Sequence, residues 1–203
     1  MSEVFFHIDR NNSLELGDEL ELDWSFRLGG EEAPQAQPEN KQVLQDMYPE
    51  GLSRHGFQYA SAMIAEDNNA HPPGKSKPII TALPTSDPDL SHIFSEPNST
   101  RYEWLFELVR LSEFKSCQSR FQSVFGWQNK PEIEDLKPVQ GQDPQLVKLS
   151  CDDYHKHDNS LLKFTSFSGG LENAKKYWKG YESPDPTWEI LMEPPVEVVE
   201  IKS

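Results

Sequence analysis

Short strand-like segments stand at both ends of this 203-residue chain, and its clearest helix lies between them. The stretch "EVFFHIDR" (3–10) is rich in aromatic and β-branched residues, and "TWEILMEPPVEVVEIKS" (187–203) predicts two strands around Pro194–Pro195. In "STRYEWLFELVRLSEF" (99–114), apolar residues recur at helical spacing behind a Ser99 or Thr100 N-cap. Strands at the ends with helices between them favour an α+β fold.

The remaining segments fit one domain spanning 1–203, in which 27–98 forms a helical and loop insertion of unassigned role. Alternating residues predict a strand within 14–26, and two helical pieces are expected in 40–68, the first capped by Asn40. Further elements are predicted by local pattern: strands at 145–151 and 161–167, and a turn with a short helix at 168–180, ended by Gly180.

The charge of the chain is strongly acidic, with 19 basic and 34 acidic residues and a formal net charge of −15. Such a field repels nucleic-acid phosphates and anionic membrane surfaces. The stretch "SCQSRFQSVFGWQ" (116–128) is an exception, because it holds Arg120 and no carboxylate. It is predicted to be a strand that meets any anionic ligand.

The cysteine content and the N-terminus indicate a cytoplasmic protein without a membrane partner. Cys117 and Cys151 do not make a disulfide framework, no signal peptide is recognisable, and no apolar run approaches membrane-spanning length. A Cys117–His7 nucleophile is a weak idea, because a lone cysteine is more often a small buried apolar residue.

Metal and nucleotide motifs give little support for a specific chemistry. The stretch "CDDYHKHDN" (151–159) crowds residue types that bind zinc, but no second cluster of Cys and His accompanies it. A solvated polar loop is therefore favoured there, and no metal site is predicted. Phosphate-binding and dinucleotide-binding glycine motifs are absent from the sequence.

Three separated pieces become informative when they are taken in order: "FFHIDR", then "QSRFQSVFGW", then "ENAKKYWKG" followed by "TWEILMEP". In this order the chain resembles the ADP-ribosyltransferase superfamily in its compact bacterial form. The resemblance covers the first ten residues and roughly 100–200. It implies a split β-sheet core, with helices between the N-terminal and C-terminal strands, and NAD as a substrate.

The resemblance also implies which residues form the site. The catalytic group would be Glu189, His7 and Tyr177, and NAD would be bound by His7, Arg10, Ser119, Arg120, Ser123 and Phe125. The C-terminal segment 187–203 lacks a Glu-x-Glu or Gln-x-Glu pair, which leaves Glu193 and Glu197 as alternatives to Glu189. Glu189 is preferred because a carboxylate on an apolar strand is costly without a role.

Arg120 has two competing interpretations. As part of the implied site it would contact the NAD pyrophosphate, because a guanidinium forks onto phosphate oxygens. Otherwise it would pair with Glu107 or Glu113 on the preceding helix.

Two functions from different classes follow. The first is mono-ADP-ribosyl transfer from NAD⁺ to a protein or a single-stranded nucleic acid. The enzyme would be the toxin of a toxin–antitoxin or phage-defence system, held in check by an antitoxin or immunity protein. The second is a catalytically inactive acidic interaction or immunity protein, a decoy for a nucleic-acid-binding partner. The net charge and the lack of an unmistakable catalytic motif favour this alternative.

Overall fold

A computed structural model describes residues 2–10, 12–24, 38–60, 99–130, 144–163 and 166–202. The described residues form helices together with two antiparallel sheets, which confirms the α+β class. The helices are α1 (Pro38–Met47), α2 (54–60), α3 (Ser99–Glu113) and α4 (Phe167–Trp178), with short 3₁₀ turns at Arg120–Gln122 and Asn159–Leu161. The strands are β1 (Glu3–Asp9), β2 (Glu19–Leu20), β3 (Val124–Gly126), β4 (Gln145–Cys151), β5 (Tyr154–Asp158), β6 (Trp188–Met192) and β7 (Val196–Lys202).

The strands form two antiparallel sheets that meet at a narrow seam. One sheet has the order β1-β4-β7-β2 and the other β3-β6-β5. The seam is a single bridge in which Phe6 and Trp127 exchange two backbone hydrogen bonds of 2.8 Å. As a result, β1 lies beside β3, and β3 pairs with β6.

Three apolar clusters hold these layers together. The first packs between the two sheets and joins Val147 and Val198 to Ile190 of β6. The second joins α3 and α4 to the other sheet through Phe106, Tyr177 and Leu191. The third packs α1 and α2 around the ring of Phe121. Burial of large side chains such as these contributes about 1.5–3 kcal/mol each.

The contact between α2 and the Arg120–Gln122 turn depends on a glycine. A Cβ added at Gly56 would lie 1.9 Å from the carbonyl oxygen of Phe121. Ser53 secures the same contact, because its N–H donates to that carbonyl oxygen at 2.9 Å. The turn is thereby fixed against the start of α2.

Several predicted elements are confirmed by the structure. The strand expected at 145–151 is β4, and the closing strands around Pro194–Pro195 are β6 and β7. The helix expected within 168–180 is α4, and Gly180 follows it with a φ of +69°. The two helical pieces expected after residue 40 correspond to α1 and α2, while residues 61–68 lie outside the described part of the chain.

Other predicted elements are wrong because tertiary contacts or caps override the local pattern. Within the described residues 14–24, the expected strand is reduced to Glu19–Leu20, since Asp23 bridges to Leu52 instead. Asn40 lies inside α1, which begins at Pro38. Of the strand expected at 161–167, Leu161 ends a 3₁₀ turn and Phe167 begins α4, where Ser166 Oγ accepts from the Gly169 N–H at 3.1 Å; residues 164–165 lie outside the described part of the chain.

Two further stretches differ from the predictions: 116–128, which was predicted to be a strand, and 151–159, which was predicted to be a solvated loop. Residues 120–122 of the former form a 3₁₀ turn, and a strand begins only at Val124. In the second stretch, Tyr154–Asp158 forms strand β5 and pairs along its length with β6, so it is not a solvated loop. Within the described residues, none of the helices has the length and apolar character needed to cross a membrane.

Candidate functional site

A buried arginine lies at the centre of the polar interior. Arg120 is 3% exposed, and its Nε and one Nη donate to the two carboxylate oxygens of Glu103 at 2.7 and 2.9 Å. Its other Nη donates to the hydroxyl of Tyr177 at 2.7 Å and to Glu189 Oε1. The Tyr177 hydroxyl donates to the same Glu189 oxygen at 2.7 Å. One guanidinium is thus shared by two carboxylates, which we call the Arg120 cluster.

Four different elements bring the Arg120 cluster together. Glu103 lies on α3 and Tyr177 on α4, and these helices pack against each other in the second apolar cluster. Glu189 lies on β6, where burial of the whole strand turns it inward. Arg120 enters from the turn before β3, so residues up to 86 positions apart meet at one point.

The charges of the cluster do not cancel. Burial opposes ionisation of Arg120, but the nearby carboxylates of Glu103 and Glu189 hold its pKa well above the usual range. Burial raises the pKa of Glu189 against the opposing charge of Arg120, and Glu103 adds to the rise. The cluster holds two carboxyl groups for one guanidinium, so an ionised Glu189 favours positive charge developing nearby.

His7 and Phe125 extend this interior toward the seam between the sheets. The Arg120 guanidinium lies 4.7 Å from the centroid of the Phe125 ring, and the His55 ring meets that ring edge-on at 5.0 Å. His7 Nδ1 donates to the carbonyl oxygen of Phe125 at 2.7 Å, because a carbonyl can only accept. His7 Nε2 therefore carries the lone pair, and it has no hydrogen-bond partner among the described residues.

The two histidines at this seam are neutral at pH 7. Burial lowers the pKa of His7, although its bond to the Phe125 carbonyl opposes that shift. Burial lowers the pKa of His55 to about 3, and the charge of Arg54 acts in the same direction. A neutral His7 with Nδ1 protonated can accept a hydrogen bond from a hydroxyl or an amide at Nε2.

His157 supports Tyr177 from the other side. It is opposite Glu189 in the β5–β6 register, and its ring stacks on the Tyr177 ring at 4.4 Å. Its Nδ1 donates to the Tyr177 carbonyl oxygen at 3.0 Å, whereas its buried Nε2 has no partner in the described chain. Burial lowers the pKa of His157 to about 4.

A second buried network fixes the turn that carries Arg120. Glu107 accepts from Arg110, from the Tyr48 hydroxyl at 2.8 Å and from Ser119 Oγ at 2.9 Å. Ser119 also caps the 3₁₀ turn by accepting from the Phe121 N–H at 3.1 Å. This network holds the turn between α3 and β3, and so sets where the Arg120 side chain begins.

Five of the predicted site residues come together in this interior: His7, Arg120, Phe125, Tyr177 and Glu189. Arg10 comes directly after the end of β1, in a turn. The other two glutamates lie elsewhere, since Glu193 and Glu197 are both exposed. Of the three predicted catalytic candidates, Glu189 is therefore the one that lies in the Arg120 cluster.

Three of the implied NAD contacts need correction. Four of the five N–H groups of Arg120 are donated to protein neighbours, so its charge is already balanced and a phosphate contact is not supported. The helix pairing does occur, but with Glu103 and not with Glu107 or Glu113. Ser119 and Ser123 are committed within the turn, where Ser123 Oγ donates to the Ser119 carbonyl oxygen at 2.7 Å.

The other candidate chemistries gain nothing from the structure. Burial raises the pKa of the Cys117 thiol, and its Sγ lies 3.7 Å from the Trp178 carbonyl oxygen, so it is not an activated nucleophile. Across the described ranges, no three His, Cys, Asp or Glu side chains are grouped closely enough to hold a metal ion.

Sequence reasoning missed Glu103, His55 and His157. Glu103 has no signal beyond its position in the helix predicted at 99–114, and the structure places it on the buried face of α3. Alternation in "YHKHD" puts His157 on the same strand face as the exposed His155, so the sequence pattern does not distinguish the buried histidine from the exposed one. His55 follows a loop and carried no local signal.

Comparison with known proteins adds a family but no activity. No curated protein matches the chain closely enough to count as a relative. One family model, described as "Protein of unknown function (DUF2441)", matches residues 5–203. Because this match spans nearly the whole sequence, the chain belongs to the DUF2441 family.

Proposed function

We propose that the chain is a mono-ADP-ribosyltransferase that cleaves the nicotinamide–ribose bond of NAD⁺ and transfers ADP-ribose to a macromolecule. One observation carries the proposal. His7, Phe125 and Glu189 lie on three neighbouring strands, β1, β3 and β6, at the seam between two sheets. Tyr177 reaches the same point from α4. A split sheet with these residues on these strands is what the resemblance to the ADP-ribosyltransferase superfamily implies.

The electrostatics of the Arg120 cluster suit this reaction. Loss of nicotinamide builds positive charge on the ribose, as in glycoside cleavage. A preorganised carboxylate stabilises that charge. Glu189 is held by Arg120 and by the Tyr177 hydroxyl, and Glu103 adds a second negative charge. Glu189 is the proposed catalytic carboxylate, and Tyr177 and Arg120 orient it.

His7 supplies a complementary contact. Its Nε2 is an acceptor without a partner in the described chain, on a side chain that is 9% exposed. A ribose hydroxyl or the carboxamide N–H of nicotinamide would satisfy this acceptor. The Phe125 carbonyl fixes the tautomer that makes the contact possible.

The biological setting belongs to the same proposal and rests on the resemblance and on charge. The enzyme would be a cytoplasmic toxin of a toxin–antitoxin or phage-defence system, and its acceptor would be a protein or a single-stranded nucleic acid. An antitoxin or immunity protein with a basic surface would suit a chain of net charge −15.

The decisive test compares two substitutions within one cluster. Glu189→Gln and Glu103→Gln each remove one of the two carboxylates that accept from Arg120, and both side chains are buried. Release of nicotinamide from NAD⁺ and incorporation of labelled ADP-ribose are measured for both variants and for the wild type. We expect Glu189→Gln to lose transfer by at least 100-fold while Glu103→Gln retains most of it, since only the former contacts the ribose.

Two results would count against the proposal. Equal loss in the two variants would mean that the cluster serves folding alone. Absence of nicotinamide release from the wild type would favour the second candidate, an inactive acidic interaction or immunity protein that acts as a decoy. One observation supports that candidate: Glu189 is only 7% exposed and is paired with Arg120, as in a structural ion pair.

A further inference from the structure

The side chains on which the proposed function depends are closed off from solvent. Of His7, Arg120, Tyr177 and Glu189, none is more than 9% exposed. A ligand has to touch His7 Nε2 and the Glu189 carboxylate directly, and so little exposed surface does not allow that contact. The interior is therefore closed in this structure, and an element that covers it has to move before a ligand can enter.

The helix α2 covers this interior on one side. Its residues His55 and Tyr59 are four positions apart, so they lie on one face of the helix. The His55 ring meets the Phe125 ring at 5.0 Å and lies 6.2 Å from the His7 ring. Tyr59 lies close to the Arg120 cluster: burial raises the pKa of its hydroxyl, and the two carboxylates of the cluster raise it further. One face of α2 thus spans the site from His7 to the cluster.

The other elements around the site are fixed by contacts that their movement would break. The strands β1, β3 and β6 belong to hydrogen-bonded ladders. Between α4 and α3, Trp178 Nε1 donates to the Phe106 carbonyl oxygen at 2.7 Å, and Lys175 pairs with Glu113 at 2.7 Å. Because α2 belongs to neither sheet, it can move without breaking a ladder.

The backbone before α2 shows where such a movement would begin. Asp23 and Leu52 exchange two backbone hydrogen bonds, of 3.0 and 3.2 Å, which fix the chain up to Leu52. The next residue, Ser53, donates its N–H to the Phe121 carbonyl oxygen at 2.9 Å, and Gly56 lies closely against the same carbonyl. A rotation of α2 is therefore absorbed at Ser53, between the fixed bridge and the helix.

We infer that α2 is a movable cover of the candidate site, and that a ligand reaches His7 and Glu189 only after α2 turns away from the Phe121 carbonyl at Ser53. The inference rests on the proposed function for the identity of the ligand, whereas the closure is a property of the free chain. The covered state lowers the apparent affinity for a ligand in proportion to the fraction of open molecules. A change that displaces α2 should therefore make His7 accessible.

The test is modification of the full chain by diethyl pyrocarbonate, measured for each histidine by mass spectrometry of peptides. This reagent transfers an ethoxycarbonyl group to a neutral imidazole nitrogen that it can reach, and the lone pair of His7 Nε2 has no partner among the described residues. The exposed His155 reports full access. The buried His157, which stacks on Tyr177, reports general unfolding.

Two glycine substitutions separate movement of α2 from general destabilisation. Gly56→Ala forces α2 away from the Phe121 carbonyl, because the added Cβ would lie 1.9 Å from its oxygen. Gly180→Ala is the matched control: it strains a glycine with a φ of +69° after α4, where the added Cβ meets nothing within 4 Å. We expect wild-type His7 to react at least about 10-fold more slowly than His155. Gly56→Ala should speed His7 by about 5- to 10-fold without changing His157, and Gly180→Ala should leave His7 slow.

Three results would overturn the inference. Wild-type His7 reacting as fast as His155 would mean that the site is already open. An unchanged His7 rate in Gly56→Ala, or an equal rise for His7 and His157, would mean that α2 does not uncover the site. If thermal unfolding shows that Gly56→Ala is not folded, hydrogen exchange of the wild type decides: amides of 54–60 should exchange faster than those of α4 and β6, and equal protection overturns the cover.

The two proposals fail separately, because neither measurement uses NAD⁺. A chain that releases nicotinamide but fails the histidine test keeps the transferase and loses the cover. A chain that passes the histidine test without releasing nicotinamide keeps the cover and loses the transferase.

Discussion

Acidification is expected to destabilise this protein through His157. Its pKa is about 4 in the folded protein, against 6.5 for an unburied histidine. The unfolded chain therefore takes up the proton first, and folded stability falls as the pH drops below about 7. The loss grows through the range between 6.5 and 4 and is complete below 4.

The magnitude follows from the two pKa values. Each unit of difference corresponds to 1.36 kcal/mol, so the full loss is about 3 kcal/mol, of which about 2 kcal/mol is lost between pH 7 and pH 5. The physical cause is burial: the imidazole is 6% exposed and stacks on Tyr177, and the charge of Arg120 adds to the shift. A proton on Nε2 would have no acceptor among the described residues.

The assay is urea unfolding followed by tryptophan fluorescence at pH 7, 6 and 5. His157→Gln removes the titrating group, and His155→Gln is its matched control, exposed on the same strand. We expect the free energy of unfolding to fall by about 2 kcal/mol less between pH 7 and 5 in His157→Gln than in wild type. His155→Gln should fall as the wild type does. The same pH dependence in His157→Gln and wild type would refute the reasoning.

Four substitutions test the packing and the ion pairs by urea unfolding at pH 7. Arg120→Met leaves two buried carboxylates unpaired and should cost about 3–5 kcal/mol; a cost below 1 kcal/mol would contradict the buried pairing. Gly56→Ala places a Cβ against the Phe121 carbonyl and should cost at least about 1–3 kcal/mol, unless α2 is free to shift. Tyr177→Phe removes a buried hydroxyl that bonds two groups and should cost about 1–3 kcal/mol, with a further loss of NAD⁺ turnover that a purely structural role does not predict. Lys175→Ala breaks a half-exposed surface pair and should cost less than about 1 kcal/mol; a larger cost would show that surface pairs matter here.

The local sequence pattern was sufficient to predict those helices and strands whose conformation depends mainly on residues close in sequence. Alternation placed β4 and the two closing strands, and the polar turn with its glycine stop placed α4. The position of Glu189 on an apolar strand could also be predicted, because its neighbours in β6 are apolar. Local pattern failed at Ser166–Phe167, where a serine cap begins a helix in place of the expected strand.

The partners of Arg120 could not be predicted in the same way. Glu103, Glu107 and Glu113 all lie on α3 and are equally good partners by charge. The docking of the Ser119 turn on α3 decides among them, because Glu107 is already engaged by Arg110, Tyr48 and Ser119. That docking depends in turn on α2 and on Gly56, far away in the sequence.

The sequence by itself determined the α+β class, most of the strands and the residue types that meet in the interior. Only the tertiary structure decided that Arg120 faces Glu103 and Glu189, that Ser119 and Ser123 serve the turn, and that Arg54 and His55 stand beside His7. The physical reason is the sequence distance over which the interactions act. Strand and helix patterns arise from neighbours a few residues apart, whereas buried charges choose partners by the distances that the packing of separate elements creates.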